Sequence, residues 1–527
     1  MKKIILTLSL FLMIGCSGVF AEDYTVFSPN KRIKVVVSSH DDLQFSVFYH
    51  DKAVLVPSSI ALTLADDIVL GKYPQVVEAR TTSVNEKILV PIKTKRDSMT
   101  NHYQQLELRF KQNFGVVFRV FDDGLAYRFT TAFNDSIIIY NEKADLLLAQ
   151  DDSIFFPQVN CNQYNNPDLD CFHSSFEELY QRVKVSALES DQLGFLPVLI
   201  NSDSNPKLLI TESNLEDYPG MFLTGSSTHQ PLLKAKFAPY PTREKTFGEY
   251  PQDLVLSRAD YIAKTKGTRT FPWRVLVMVE DDGQLIETDI VSRLADPPRL
   301  SDYSWIKPGK STSEWIIDNN IYGVDFRSGY NTDTYKYYID FAAKFGLEYV
   351  LFDAGWSNPA DIFSITPGID MDFLIQYAQQ KGVGVVLWTS SSTLNRQMIA
   401  ALDKFQAWGI KGLMVDFMDR DDQPTVQFYY RVAEEAAKRQ LFIDFHGSYK
   451  PTGLIHTYPN VLTQEGARGQ EYFKFTDNTS AEYEATLPFV RMVAGPYDYE
   501  PGNMRNETRE NFRPMSNKPT AMGTRIH

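Results

Sequence analysis

From Tyr24 to about Val291, apolar and polar residues alternate with a period of two over short stretches: Arg32–Val37, Gln44–Tyr49, Gln105–Phe110, Val116–Phe121 and Ala126–Thr130. That is the period of a strand with one face buried. Asp123-Gly124, between the last two stretches, predicts a hairpin turn. So many short strands at close intervals, with few helical windows, predict a large β-sandwich. Ala295-Asp296-Pro297-Pro298-Arg299 then interrupts the pattern, and paired prolines favour an extended linker over continued strand or helix. The boundary falls there, giving a sandwich domain over 22–296 and a second domain over 297–527.

After Trp315 the period changes. Apolar runs at Tyr349–Phe352, Val383–Trp388, Leu413–Phe417, Leu441–Phe445 and Val461–Thr463 alternate with helical windows such as Tyr335–Phe345, Met371–Gln380 and Val426–Arg439. Strands alternating with helices require a parallel sheet. Each run ends in a residue that a strand interior does not need: Asp353, Trp388, Asp416, His446 and Glu465. Functional groups at the C-terminal ends of successive strands are the signature of a (β/α)8 TIM-type barrel. A doubly wound open sheet shares the local pattern, but no phosphate-cradling glycine loop follows any strand.

Two lysines, the apolar run Ile4–Ile14 and the short residues Gly15-Cys16-Ser17-Gly18 form an export signal. The run falls short of the ~20 apolar residues of a membrane span. Cleavage after Ala21 yields a soluble exported protein with 1–21 as signal peptide. Cleavage before Cys16, in Met13-Ile14-Gly15-Cys16, instead leaves a lipid-anchored protein with 1–15 as lipoprotein signal. Either way the expected location is the periplasm, an oxidising compartment where Cys161 and Cys171 are expected to pair, with two free thiols in a loop as the alternative. Lys and Arg total 53 against 66 Asp and Glu, for a net charge of −13, which argues against nucleic acid as a partner. The oligomeric state is not legible.

Asp416 closes an apolar strand, so its carboxylate is expected at the top of the barrel. Asp419, Asp421 and Asp422 follow at a helix start, where acids often serve only the helix dipole. Leu462 through Glu471 supplies Glu465 and Glu471 beside Arg468. Glycoside cleavage needs two carboxyls on opposite sides of a sugar, one able to donate a proton. Paired acids in a barrel equally bind a divalent cation or form ion pairs.

The wording of Val415-Asp416-Phe417-Met418-Asp419, His446 through Gly453, Leu462 through Glu471 and Met504 through Arg525 resembles glycoside hydrolase family 97, as do Thr211-Glu212-Ser213 and Asp217 through Met221. The resemblance implies an exported, calcium-dependent α-glycosidase. Inverting members carry a Glu after the histidine of the His-x-x-x-x-Pro-Thr-Gly segment and lack the strand-four aspartate. This chain has Gly447 and Asp416 there, and so resembles the retaining branch, whose activity is α-galactosidase. On that branch Asp416 maps to the nucleophile and Glu471 to the acid/base. Calcium is implied at Glu465 and Glu471, with Glu177 as the sandwich ligand and Glu178 and Glu212 as its rivals, each of the three being open to the alternative of a solvated surface acid.

Trp356 and Trp388 are expected to stack on the sugar, with core packing as the alternative for each. Asp353 is the expected hydroxyl-binding acid. His446 is expected near the nucleophile's side of the sugar or packed in the core, and Arg468 on the ring hydroxyls or paired with Glu471. Family members continue past the segment matching Thr524-Arg525. The barrel is therefore expected to be incomplete at the C-terminus, as in a truncated frame or fragment, with a seventh strand near Phe489–Ala494 and no eighth, and to fold poorly as a result. The alternatives to a retaining α-galactosidase are an inverting or differently specific α-glycosidase, such as an α-glucosidase, and an inactive carbohydrate-binding remnant.

Overall fold

The computed structural model describes residues 22–161, 170–202, 206–478, 480–500, 505–517 and 520–522. The export signal and Cys16 lie outside the described residues.

Two antiparallel sheets dominate the first half. One, of seven strands, runs through Ile33–Ser39, Leu43–Tyr49, Lys52–Leu64 and Ile137–Ala144. The other, of ten, runs through Val198–Asn201, Lys207–Ser213, Trp273–Val279, Gly124–Ala132, Phe114–Phe121, Ser98–Phe110 and Val76–Leu89. Their alternating residues explain the sandwich: along Ile33–Ser39 every second side chain is buried, and Phe45 of one sheet meets Phe118 and Tyr127 of the other at ring-centroid separations of 5.7 and 5.2 Å. The two-residue link from Phe121 to Gly124 is the predicted hairpin. Trp273–Val279 is buried on both faces, because helices Asp282–Glu287 and Ile290–Leu294 cover the side away from the sandwich core.

The second half holds a six-stranded parallel sheet: Ser311–Thr312, Tyr349–Phe352, Gly384–Ser390, Gly412–Asp416, Phe442–Phe445 and Val461–Gln464. The strands pair in sequential order, as a (β/α) barrel requires. Helices Thr332–Phe345, Met371–Lys381, Ser391–Trp408 and Gln423–Ala437 supply the crossovers. Among the described residues the first and sixth strands do not pair. A cavity of about 1060 Å³ is lined by Thr312 of the first, Leu462 of the sixth and inward-facing Tyr349, Leu351, Met414 and Phe442.

The expected seventh strand at Phe489–Ala494 is not a strand. Leu487–Phe489 and Arg491–Val493 are 3-10 turns, and Val490 and Val493 pack with Leu285 and Ile290 against the back of the sandwich. A short apolar run reads alike in a buried strand and in a buried turn. Arg491, fully buried, takes the hydrogen-bonding role that a strand would have had, donating to the carbonyls of Gln464, Glu465 and Gly466. Next to the sixth strand the chain makes one isolated parallel bridge, Gln464 to Tyr497.

The two halves share one apolar cluster and are tied by loops. The segment after the fourth barrel strand docks on the sandwich through backbone bonds from Ser174 N–H to Asp419 O (2.8 Å) and from Gly220 N–H to Asp421 O (2.9 Å). Beneath them lies a buried ion network. Arg274 binds Glu142 in a fork, at 2.7 Å twice, and Glu212 at 2.6 Å, and Glu212 also accepts from Lys450 of the barrel half. Glu212 is therefore neither a surface acid nor a metal ligand. Removing one partner of a buried ion pair strands the others, so Arg274→Met should destabilise the fold by about 3–5 kcal/mol, read as a lower urea midpoint. An unchanged midpoint would mean the network is not holding the halves.

Candidate functional site

The C-terminal ends of the parallel strands open on a cavity of about 360 Å³. Asp353 follows the second strand, Trp388 lies on the third, Asp416 ends the fourth, and His446 and Glu465 follow the fifth and sixth. All five line the cavity, with Glu471 from the 3-10 turn Gln470–Lys474 and Glu177 from the sandwich half. The sequence-predicted site residues are thus brought together, with two exceptions.

Trp356 is fully buried away from the cavity, donating from Nε1 to the Trp388 carbonyl at 2.9 Å and packing on Phe405 and Trp408. It is a core residue, and the sugar-stacking expectation fails for it. Arg468 does not line the cavity or pair with Glu471. Its Nε donates to the Glu177 carbonyl at 3.0 Å, its Nη1 to Asn478 at 2.7 Å, and its guanidinium lies over the Tyr472 ring. It braces the chain that carries Glu177. Glu178 is half-buried, accepts from the Asn160 N–H and stays outside the cavity.

Asp416 is held in one orientation. Trp388 Nε1 donates to Oδ2 at 3.0 Å and the Phe417 N–H to Oδ1 at 2.6 Å. Burial raises its pKa, while the His446 charge, the Trp388 bond and the Phe417 bond oppose the rise. His446 stands between carboxylates: Nε2 is 2.7 Å from Asp498 and 3.2 Å from Asp444, and Nδ1 is 3.7 Å from Glu465. Burial works against its charged form, yet the charges of Glu465 and Asp444 raise its pKa well above the ordinary histidine value. A protonated His446 offsets part of this acidic pocket, together with the charges of Lys474 on Glu471 and Arg468 on Glu177. Asp353 is pushed up to about 7 by burial, and its N–H is bound by the buried Glu314 at 2.7 Å.

Glu177, Glu465 and Glu471 form a tight cluster, with one ligand oxygen of each within 4.8 Å of the others. Glu177 is pushed up to about 8 by burial and the Glu471 charge, and Glu465 is raised well above the carboxylate range by burial and the Glu177 charge. Three carboxyls raising one another form an oxygen-only donor set that suits a hard divalent cation. Glu465 is further fixed by the Gly447 N–H at 2.7 Å, and Glu471 by Trp315 Nε1.

Several cavity residues escaped the sequence reading. Trp315 and Tyr250 line it, the latter meeting Trp388 edge-on at 5.8 Å from the sandwich hairpin Pro241–Phe247/Gln252–Arg258 region. Glu500 lines it from the segment after the isolated bridge. Trp315 follows the two-residue first strand, Tyr250 sits in a hairpin turn and Glu500 in the segment after the isolated bridge, and none of them closes an apolar run that would mark it in the sequence. Of the acids after Asp416, Asp422 is the helix cap, accepting from Thr425 N–H and pairing with Arg420 and Arg258. Asp421 is buried under Gly220, where an added Cβ would stand 2.0 Å from its Oδ2, and burial pushes its pKa up to about 7. Asp419 is not a dipole partner, since it lines the cavity, and burial with the Asp416 charge raises its pKa well above the usual range. Cys161 and Cys171 form a disulfide beside this region.

Residues 26–297 match the family description Glycosyl-hydrolase 97 N-terminal, and residues 314–467 match Glycoside hydrolase 97. A retaining alpha-galactosidase of Bacteroides thetaiotaomicron is 39% identical over 512 residues, which cover 96% of this chain and 76% of that protein. Among solved structures, a beta-arabinopyranosidase aligns with a TM-score of 0.80 at 21% identity, over 95% of this chain and 79% of the other. A glycoside hydrolase family 97 enzyme from Pseudoalteromonas sp. strain K8, in complex with acarbose, aligns at 0.78 and 24% identity, over 91% and 74%.

Proposed function

The chain belongs to glycoside hydrolase family 97, and from that premise we propose that it is a calcium-dependent, retaining exo-α-galactosidase. The observation that carries this reading is the placement of Asp416 and Glu471 on one buried cavity, with Asp416 locked by two hydrogen bonds and faced by a cationic histidine. A nucleophile must be an anion before substrate arrives, and the Trp388, Phe417 and His446 groups favour that form. Burial raises Glu471 as it raises Asp416, so Glu471 can hold the proton that the leaving oxygen needs, and its assignment as the donor follows the family resemblance.

In the proposed reaction Asp416 attacks the anomeric carbon from the face opposite the α-linkage as Glu471 protonates the departing oxygen. A β-linked glycosyl-enzyme forms. Glu471, now ionised, takes a proton from water, which attacks the same carbon and releases α-galactose. Asp353 is assigned to the sugar hydroxyls, and Trp388 contributes an apolar wall beside the nucleophile it orients. Calcium fits the Glu177, Glu465 and Glu471 donor set, and when bound it supplies positive charge that holds sugar hydroxyls and polarises the reacting oxygens. The export segment and the Cys161–Cys171 disulfide support a periplasmic enzyme, either soluble or lipid-anchored at Cys16.

The test sets aryl α-galactoside, aryl α-glucoside and aryl β-L-arabinopyranoside side by side on purified protein in calcium, with the anomer released first followed by proton NMR. Preference for the α-galactoside with α-galactose appearing first is expected. β-Galactose first would reassign the chain to inversion, and turnover of no glycoside would leave a carbohydrate-binding remnant.

A further inference from the structure

The lining of the cavity includes a carboxyl that the proposed reaction does not use. Asp419 is fully buried, and neither of its side-chain oxygens accepts a hydrogen bond among the described residues. The nitrogen within ion-pair range, His173 Nε2, stands 3.7 Å from Oδ2, beyond hydrogen-bonding distance. The backbone fixes the residue firmly. Its N–H donates to the Gly447 carbonyl at 2.8 Å, and its carbonyl accepts from Ser174 N–H at 2.8 Å. Its φ of +49° is an uncommon conformation for a residue with a side chain.

What Asp419 faces is more informative. It lines the cavity with Glu177, Gly447 and Glu465. A Cβ on Gly447 would stand 2.5 Å from Asp419 Oδ1, so the bare glycine is what gives that oxygen its place. The same Gly447 holds Glu465 through its N–H. One peptide thus separates the unpartnered carboxyl from the metal cluster. A buried carboxyl without donors is unfavourable unless something in the cavity satisfies it. Three carboxylates also fall short of the roughly 6–8 oxygens that calcium takes, so bound waters must complete the set.

We infer that Asp419 is an outer carboxylate of the calcium centre, accepting a hydrogen bond from a water bound to the ion. The inference rests on the calcium reading of Glu177, Glu465 and Glu471. Asp419 is not in the group of ligand atoms within 4.8 Å of one another, so it is not counted with the inner ligands, and its link to them runs through the shared cavity and Gly447. Groups in that ring orient the inner ligands, and their loss weakens metal affinity by roughly 10–100-fold.

The experiment is calcium titration by calorimetry of the full chain, stripped with chelator, for the wild type, Asp419→Asn and Asp419→Ala. Far-UV circular dichroism in chelator selects variants that keep the fold. Asn keeps the shape and removes the charge, and Ala removes the group altogether. Calcium affinity lowered roughly 10–100-fold in either folded variant, with one ion still bound, is the expected result. Affinity within about twofold of wild type would overturn the inference while leaving the calcium reading intact. A wild-type chain that binds no calcium would overturn both, and that result needs no substitution to be seen.

Discussion

Asp416→Ala should lower hydrolysis of an aryl α-galactoside by roughly 10³–10⁶-fold, and azide should restore part of the loss while producing β-galactosyl azide. Removing the carboxylate leaves a hole on the face opposite the α-linkage, lined by Trp388 Nε1 and the Phe417 N–H, both of which donate to Asp416. Those donors remain in the variant and suit a small anion. Glu471 is untouched and still protonates the leaving group, so glycosyl transfer to azide proceeds, and the product keeps the inverted configuration because no second displacement follows. The product's anomeric configuration, read by NMR, is the decisive measurement. α-Galactosyl azide, or loss of activity with no rescue in a well-folded variant, would remove Asp416 from the nucleophile's position.

That prediction starts from a residue legible in the sequence, and the reason is geometric. In a parallel sheet only the strand ends reach the opening, so a polar residue closing an apolar run is out of place unless it faces that opening. Asp353, Trp388, Asp416, His446 and Glu465 were found this way, and all five line the cavity. Trp356 misled because it follows a strand end by only a few residues. Its chain turns outward, and the indole drops behind the Trp388 carbonyl into the helix layer. Arg468 misled because the carboxylate it serves is Glu177, 291 positions away, through that residue's backbone carbonyl rather than its side chain. No local pattern encodes such a contact. The apolar run at Phe489–Ala494 has the composition of a strand, and only the guanidinium of Arg491 at its centre, bonded to three successive carbonyls, shows why the chain coils there instead. The sandwich acid that could join the cation cluster is narrowed to Glu177, Glu178 and Glu212 by the sequence and its family resemblance. Separating them took the burial of Glu212 with Arg274 and Lys450 and the position of Glu178 outside the cavity.

Calcium removal should abolish turnover and loosen the link between the halves, and calcium alone should restore both. Glu177 comes from the sandwich half and Glu465 and Glu471 from the barrel half, and the mutual repulsion that raises their pKa values is relieved by bound protons when no cation is present. An ion bound there converts the repulsion into a tie, and calcium at a hundredfold excess over its Kd adds about 2.7 kcal/mol of stability. Glu177 must be deprotonated to bind the ion. Glu177 is pushed up to about 8 in the metal-free protein, so calcium uptake should release protons and affinity should rise with pH up to about that value. Glu177→Gln isolates the cross-link. It should weaken calcium binding and abolish most of the calcium-dependent rise in Tm, while leaving the Asp416 orientation set by Trp388 and Phe417 unchanged. Thermal unfolding with and without calcium, alongside turnover in chelator, reads both effects. Equal Tm and equal rates under the two conditions would mean that the three glutamates act through protons alone, with Glu177 sharing a proton with Glu471 rather than an ion.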